Sequence, residues 1–151
     1  MSRLTTYGLK LNENRISVLV KESAINYGQS TIVDCPERAA EITQFLWDAG
    51  NLPEEHFWLL ALDGSRKVAG AFTVSIGTLM SSLVHPREVF QRAILAGAAS
   101  IVVAHNHPSG SLCVSDQDRE VSKRLKQAGE LIGIRLDDHI IIAGDSFVSA
   151  Y

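Results

Sequence analysis

Ser100-Ile101-Val102-Val103-Ala104-His105-Asn106-His107-Pro108 is followed, with seven residues between His107 and Ser115, by Ser115-Asp116-Gln117-Asp118. The first five residues are a short, unbroken apolar run. Its length and its β-branched residues fit a strand buried on both faces better than a helix. Polar loop residues follow over 105–114. Ser115 with Asp118 three positions on has the spacing of a helix N-terminus, with Ser115 as cap. Strand, loop and helix in this order predict a mixed α/β or α+β domain. In extended chain, residues two apart point to the same side, so His105 and His107 can reach one metal ion. Asp118, one turn into the helix, can be brought back over them. Two histidines and a carboxylate form a ligand set for zinc with one position left to water, and such a water becomes a nucleophile near neutral pH. Taken singly, each part has a plainer explanation, a chance histidine pair or an ordinary capping box; the combination carries the reading.

Alternating elements surround this stretch. Asp34 or Cys35 caps a first helix with Pro36 in its opening turn, and Ala39, Ile42, Phe45 and Leu46 give it an apolar face ending near Gly50-Asn51. Phe57–Leu62 reads as a second buried strand, Asp63-Gly64-Ser65 as a turn, and 67–74 as the returning strand. His85-Pro86 opens a second helix, with Val89, Phe90, Ala93 and Ile94 inward and Gly97 at its close. Val121, Leu125 and Ala128 face inward from the third helix, which breaks at Gly129 or Gly133. A last strand lies within 134–142. Residues 1–34 are the least patterned; 16–21 look strand-like, and the segment reads as an arm or edge strand added to a core beginning near residue 35.

Composition limits the alternatives. The 151 residues are enough for one domain, and 46% hydrophobic with 21% charged residues is ordinary globular usage. The longest apolar stretch, 93–104, is too short for a membrane span of ~20 residues. No signal-peptide core follows Met1, and two distant cysteines, Cys35 and Cys113, suit a reducing cytoplasm. A formal charge of −3 and a pI near 5.9 disfavour general nucleic-acid binding. Lys123-Arg124-Leu125-Lys126 reads as a solvated helix face, and Trp47 and Trp58 as core.

His105-x-His107-x7-Ser115-x2-Asp118 resembles the JAMM motif of the JAB/MPN metalloprotease superfamily. Val84-His85-Pro86-Arg87-Glu88-Val89-Phe90, Ala104-His105-Asn106-His107-Pro108-Ser109-Gly110, Asp138-His139-Ile140-Ile141-Ile142 and Glu55-His56-Phe57 are similar to its RadC branch, over roughly residues 35–151. The resemblance implies a mixed β-sheet flanked by helices, of cytidine-deaminase-like layout. It implies one zinc ion held by His105, His107 and Asp118, and a peptide or protein substrate. Glu55 is the implied general acid/base, with Glu54 its neighbour and Glu88 a further candidate; Ser115 is the implied donor to an oxyanion. Cys113 is a competent zinc ligand within the loop, but the motif already supplies three. His139 beside Asp138 reads as an outer partner of the site or a structural pair, His85 as a loop-orienting residue, and His56 as surface. Val114 stands where relatives often have proline, and Ala143 precedes Gly144, without removing a chemical group. Long members carry an N-terminal helix-hairpin-helix DNA-binding region; residues 1–34 show no such pattern, so the chain reads as a short form. The implied activity is hydrolysis of an amide bond by metal-activated water. The other readings are a DNA repair or replication accessory and a non-catalytic zinc-binding interaction module.

Overall fold

The computed structural model describes residues 2–77 and 84–151, and among these seven strands and three α-helices form one α+β layout. The strands are β1 (Ser2–Leu11), β2 (Ser17–Tyr27), β3 (His56–Leu62), β4 (Val68–Ile76), β5 (Ser100–Asn106), β6 (Arg135–Ala143) and β7 (Ser146–Ser149). The helices are α1 (Pro36–Trp47), α2 (Pro86–Leu95) and α3 (Asp116–Ile132). All strands join one mixed sheet in the order β2-β1-β4-β3-β5-β6-β7. β1 runs parallel to β4, and β5 parallel to β6; the other neighbours are antiparallel. A parallel pair needs a crossover, and α3 supplies it between β5 and β6.

The central strands are apolar without a break because both sheet faces are covered. On one face Trp58, Leu60 and Leu62 of β3 and Val102 and Ala104 of β5 pack with Ala39, Ala40 and Ile42 of α1. On the other, Phe57, Leu59 and Ala61 with Ile101 and Val103 pack against Val89, Phe90 and Ala93 of α2 and Val121 and Leu125 of α3. Strand alternation therefore sends His105, in step with Ile101 and Val103, toward the α3 side. Asn106 belongs to the opposite set.

The sequence pattern places the helices and central strands close to where they lie, with differences at the margins. Cys35 is the N-cap of α1, and the helix stops at Trp47, where Asp48 takes a left-handed conformation (φ 50°) before a short 3-10 turn at Ala49–Asn51. Phe45 and Ile94 do not join the core. They are 45% and 57% exposed, while Thr43 is buried with its hydroxyl donating to the Ala39 carbonyl. A hydroxyl satisfied within the helix is thus buried where the aromatic ring two residues on is not. α3 ends at Gly133 (φ 89°), a conformation that favours glycine. His105 and Asn106 belong to β5 rather than to the loop, and β7 closes the far edge after a tight turn at Gly144. Residues 2–27 form a hairpin attached through β1 to β4, and its Leu4 and Tyr27 are buried among the α1-side core. Of the loop 77–86, residues 78–83 lie outside the described residues.

Candidate metal centre

Three elements converge at the end of β5. β5 delivers His105, and its pairing with β6 continues one residue further: the His107 amide donates to the Ile142 carbonyl at 2.8 Å. The N-terminus of α3 delivers Asp118. Here Ser115 and Asp118 form a capping box: the Asp118 amide donates to Ser115 Oγ (3.0 Å) and the Ser115 amide to Asp118 Oδ2 (2.9 Å). The serine side chain itself thus makes the cap. As an acceptor in that bond, the hydroxyl retains its own hydrogen for donation.

The ligand atoms lie close together. His105 Nε2 is 3.1 Å from His107 Nε2 and 3.0 Å from Asp118 Oδ1, and His107 Nε2 is 3.3 Å from Asp118 Oδ2. His107 Nδ1 lies 2.8 Å from the Ser111 carbonyl, which only accepts, so Nδ1 carries the proton and Nε2 a lone pair. His105 is anchored through Nδ1, 2.8 Å from His139 Nε2, a nitrogen that accepts when His139 carries its own proton on Nδ1. Both imidazoles turn Nε2 toward the Asp118 carboxylate, and with each ring's proton on Nδ1 three acceptors converge there. Such acceptors repel unless a cation or proton sits between them. Ligand atoms ~2.0–2.2 Å from a tetrahedral ion stand roughly 3.3–3.5 Å apart, within a few tenths of an ångström of these separations. The group fits a metal ion, and among the described residues it is the one such cluster.

Electrostatics agree with a cation-binding role. Burial raises the Asp118 pKa, yet hydrogen bonds from His105 and the Ser115 backbone outweigh it and hold the carboxyl well below its usual range. It therefore remains a carboxylate. Burial, with the neighbouring His105, pushes His139 down to about 3, so that ring is neutral.

A cleft of about 500 Å³ opens onto this group, lined by Glu55, His107, Ser115 and Asp118 together with Pro108 and Cys113. Glu55 is half-buried at the entrance to β3. Its flanks are fixed by Asn106: Nδ2 donates to the Glu54 carbonyl (2.9 Å), and Oδ1 accepts from the His56 amide (2.6 Å). The Glu55 carbonyl also accepts from the Gly77 amide at 2.8 Å. Glu54 is exposed and lines a neighbouring pocket; Glu88 lies in the first turn of α2 and does not line the cleft. Cys113 is exposed and unpaired, outside the ligand cluster. His85 caps α2 through its carbonyl, and His56 stacks on Trp58 at 5.5 Å. Asn106 was given no role by its residue type and position. Its one legible signal is its place between the two histidines, on the opposite side of an extended strand.

Residues 33–151 match the family described as RadC-like JAB domain. The chain belongs to the RadC family. Its RadC relatives include a UPF0758 protein of Rubrobacter xylanophilus, 54% identical over 99 residues (66% of this chain, 43% of the relative). A UPF0758 protein of Desulforudis audaxviator is 45% identical over 117 residues (78% and 50%). One of Geobacillus sp. is 42% identical over 127 residues (84% and 55%). The chain spans about half the length of these RadC relatives, whose names state no activity. The mixed sheet and its helices are in keeping with the JAB/MPN fold that the family implies. No helix among the described residues is long and apolar enough to cross a membrane.

Proposed function

We propose that this RadC-family chain is a zinc-dependent metallopeptidase or isopeptidase, acting on an amide bond of a peptide or protein. One observation carries the reading: two imidazole Nε2 atoms and a carboxylate converge at 3.0–3.3 Å on the wall of a cleft that also holds Glu55. His105, His107 and Asp118 hold the ion. When bound, zinc supplies Lewis-acid polarisation of a carbonyl and acidifies a water. Glu55 takes a proton from the attacking water and returns it to the departing amine nitrogen. The Ser115 hydroxyl, capping α3 through its oxygen, directs its hydrogen at the carbonyl oxygen as that atom gains charge. Asn106 holds the backbone on both sides of Glu55. The catalytic unit is residues 35–151, with 1–34 as an added arm. Both cysteines are exposed and unpaired, which suits a reducing cytoplasm.

The test joins metal loading to turnover. Chelator competition is expected to give one zinc per chain, and the loaded protein to hydrolyse members of a peptide and isopeptide panel in a chelator-sensitive way. Glu55→Gln and Ser115→Ala should each lower turnover, by on the order of 100-fold, with zinc retained. Zinc loading without turnover across the panel sinks the enzyme and leaves an interaction module. A salt-dependent shift of DNA under those conditions would favour the repair-accessory role instead.

A further inference from the structure

Behind His105 lies a buried relay that the ligand set does not include. His105 Nδ1 is 2.8 Å from His139 Nε2 on β6, and His139 Nδ1 is 2.6 Å from Ser122 Oγ on α3. Ser122 Oγ is in turn 3.2 Å from two carbonyl oxygens, those of Asp118 and Ala150. His105 and His139 have no solvent exposure, and Ser122 has 7%.

Assigning protons leaves one consistent arrangement for a metal-binding site. If His105 offers Nε2 to an ion, its proton is on Nδ1 and is donated to His139 Nε2. His139, with one proton, then carries it on Nδ1 and donates it to Ser122 Oγ. Ser122 gives its own hydrogen to a carbonyl, which can only accept. Every polar atom in the chain is satisfied, and each ring has one tautomer. The relay also returns to the site, because one receiving carbonyl belongs to Asp118, the third ligand. His107 is supported differently, by a carbonyl four residues along its own exposed loop.

Resting on the proposed metal site, we infer that His139 and Ser122 are positioning residues that set the tautomer and ring orientation of His105 and tie it to the helix carrying Asp118. Partners of this kind typically change metal affinity 10–100-fold when removed. Phe57, stacked parallel to His105 at 6.1 Å and edge-on to His139 at 6.0 Å, fills the remaining space but offers no hydrogen bond.

The experiment is titration of the chain with zinc(II) alone against a chromophoric chelator. Nitrogen-15 spectra of the histidine side chains, recorded alongside, report which ring nitrogen carries the proton. Wild type is expected to bind one zinc, with His105 protonated at Nδ1. His139→Leu should bind 10–100-fold more weakly. His139→Gln, whose amide can accept from His105 and donate to Ser122, should recover most of the loss. Ser122→Ala should weaken binding severalfold and blur the His139 tautomer, and as a small truncation it serves if His139→Leu does not fold. Val103→Ala, buried nearby but outside the relay, should lower stability and leave zinc affinity within twofold. Wild-type affinity in folded His139→Leu, or in Ser122→Ala with an unchanged His139 spectrum, overturns the inference while leaving the metal site standing. A wild-type chain that binds no zinc overturns the metal site, and the inference with it.

Discussion

His139 has no solvent exposure, and its pKa is pushed down by burial first and by His105 second. In the metal-free protein it folds as a neutral ring, whereas in the unfolded chain it titrates near 6.5. Below that pH the unfolded state binds the extra proton, so stability rises with pH and falls on acidification. Its contribution is thus intact above about 6.5 and is lost toward its folded value of about 3. The limiting slope is about 1.4 kcal/mol per pH unit. Asp118 has the same sign, but its contribution is intact above the usual carboxylate range and is lost only in stronger acid. Denaturant midpoints measured with chelator from pH 7.5 to 4.5 should hold to about pH 6.5 and then fall for wild type. His139→Gln should flatten that dependence, and an equally steep fall in the variant would contradict the assignment. The role of His139 was only half legible in the sequence. Asp138 beside it suggested a pair, and the two do touch, through the His139 amide and Asp138 Oδ1 at 2.8 Å. What placed its ring behind His105 is a register shift between Ile101 and Val102 against β6, which puts Leu136 and His139 on the same face although they are three apart. Simple alternation cannot give that.

At the scale of elements, two close fits hold the site's parts in register. Asn106 joins β5 to the entrance of β3 by the two hydrogen bonds flanking Glu55, and it is 1% exposed. Asn106→Ala leaves the part-buried His56 amide and Glu54 carbonyl without that partner and should cost about 1 kcal/mol per hydrogen bond lost. Hydrogen exchange should accelerate at the His56 amide more than at the amides of α1. Protection unchanged at His56 would show that the clasp is not what holds this strand entrance. The second fit is Gly50, where an added Cβ would collide with the Gly144 carbonyl oxygen in the β6–β7 turn. That carbonyl already accepts from Gln44 Nε2 at 2.7 Å. Gly50→Ala should therefore destabilise by about 1–3 kcal/mol as backbone is forced apart, read as a lowered denaturant midpoint; a neutral result would mean the turn yields freely. Helices and central strands were legible because their apolar residues recur at fixed spacing. β7 was not, being four residues of which Phe147 and Val148 alone are apolar. Phe45 misled because helical spacing marks a face without saying how far the neighbouring element reaches; it meets Tyr27 edge-on at 4.8 Å at the surface.

For the whole molecule, the question is whether the 2–27 hairpin is an appendage or part of one cooperative unit. Its registered pairing to the rest of the sheet is slight, Thr6 of β1 opposite Ala71 of β4. Its burial is not slight. Leu4 has no exposed surface and Tyr27 has 5%, and both lie in the cluster containing Trp58, Ile42 and Ala39. Tyr7 and Leu19 pack against the opposite cluster, so the hairpin contributes to both faces. The sequence left this segment uncertain because its strands are only partly buried and mix polar with apolar residues, unlike β3 and β5. Leu4→Ala removes a side chain from a closed core, which typically costs 2–5 kcal/mol. Trp58, stacked on Trp47 at 5.4 Å in the same cluster, supplies a fluorescence signal from outside the hairpin. If folding is cooperative across the sheet, Leu4→Ala lowers the unfolding midpoint seen at the tryptophans by the same amount as that seen by circular dichroism. If the hairpin opens on its own, the tryptophan midpoint stays at the wild-type value while part of the strand signal melts early. The metal group lies on β5 and α3, away from Leu4 in the sheet order, so zinc at 100 times its dissociation constant should add about 2.7 kcal/mol to wild type and Leu4→Ala alike. A smaller increment in the variant would mean that the hairpin's packing reaches the ligands.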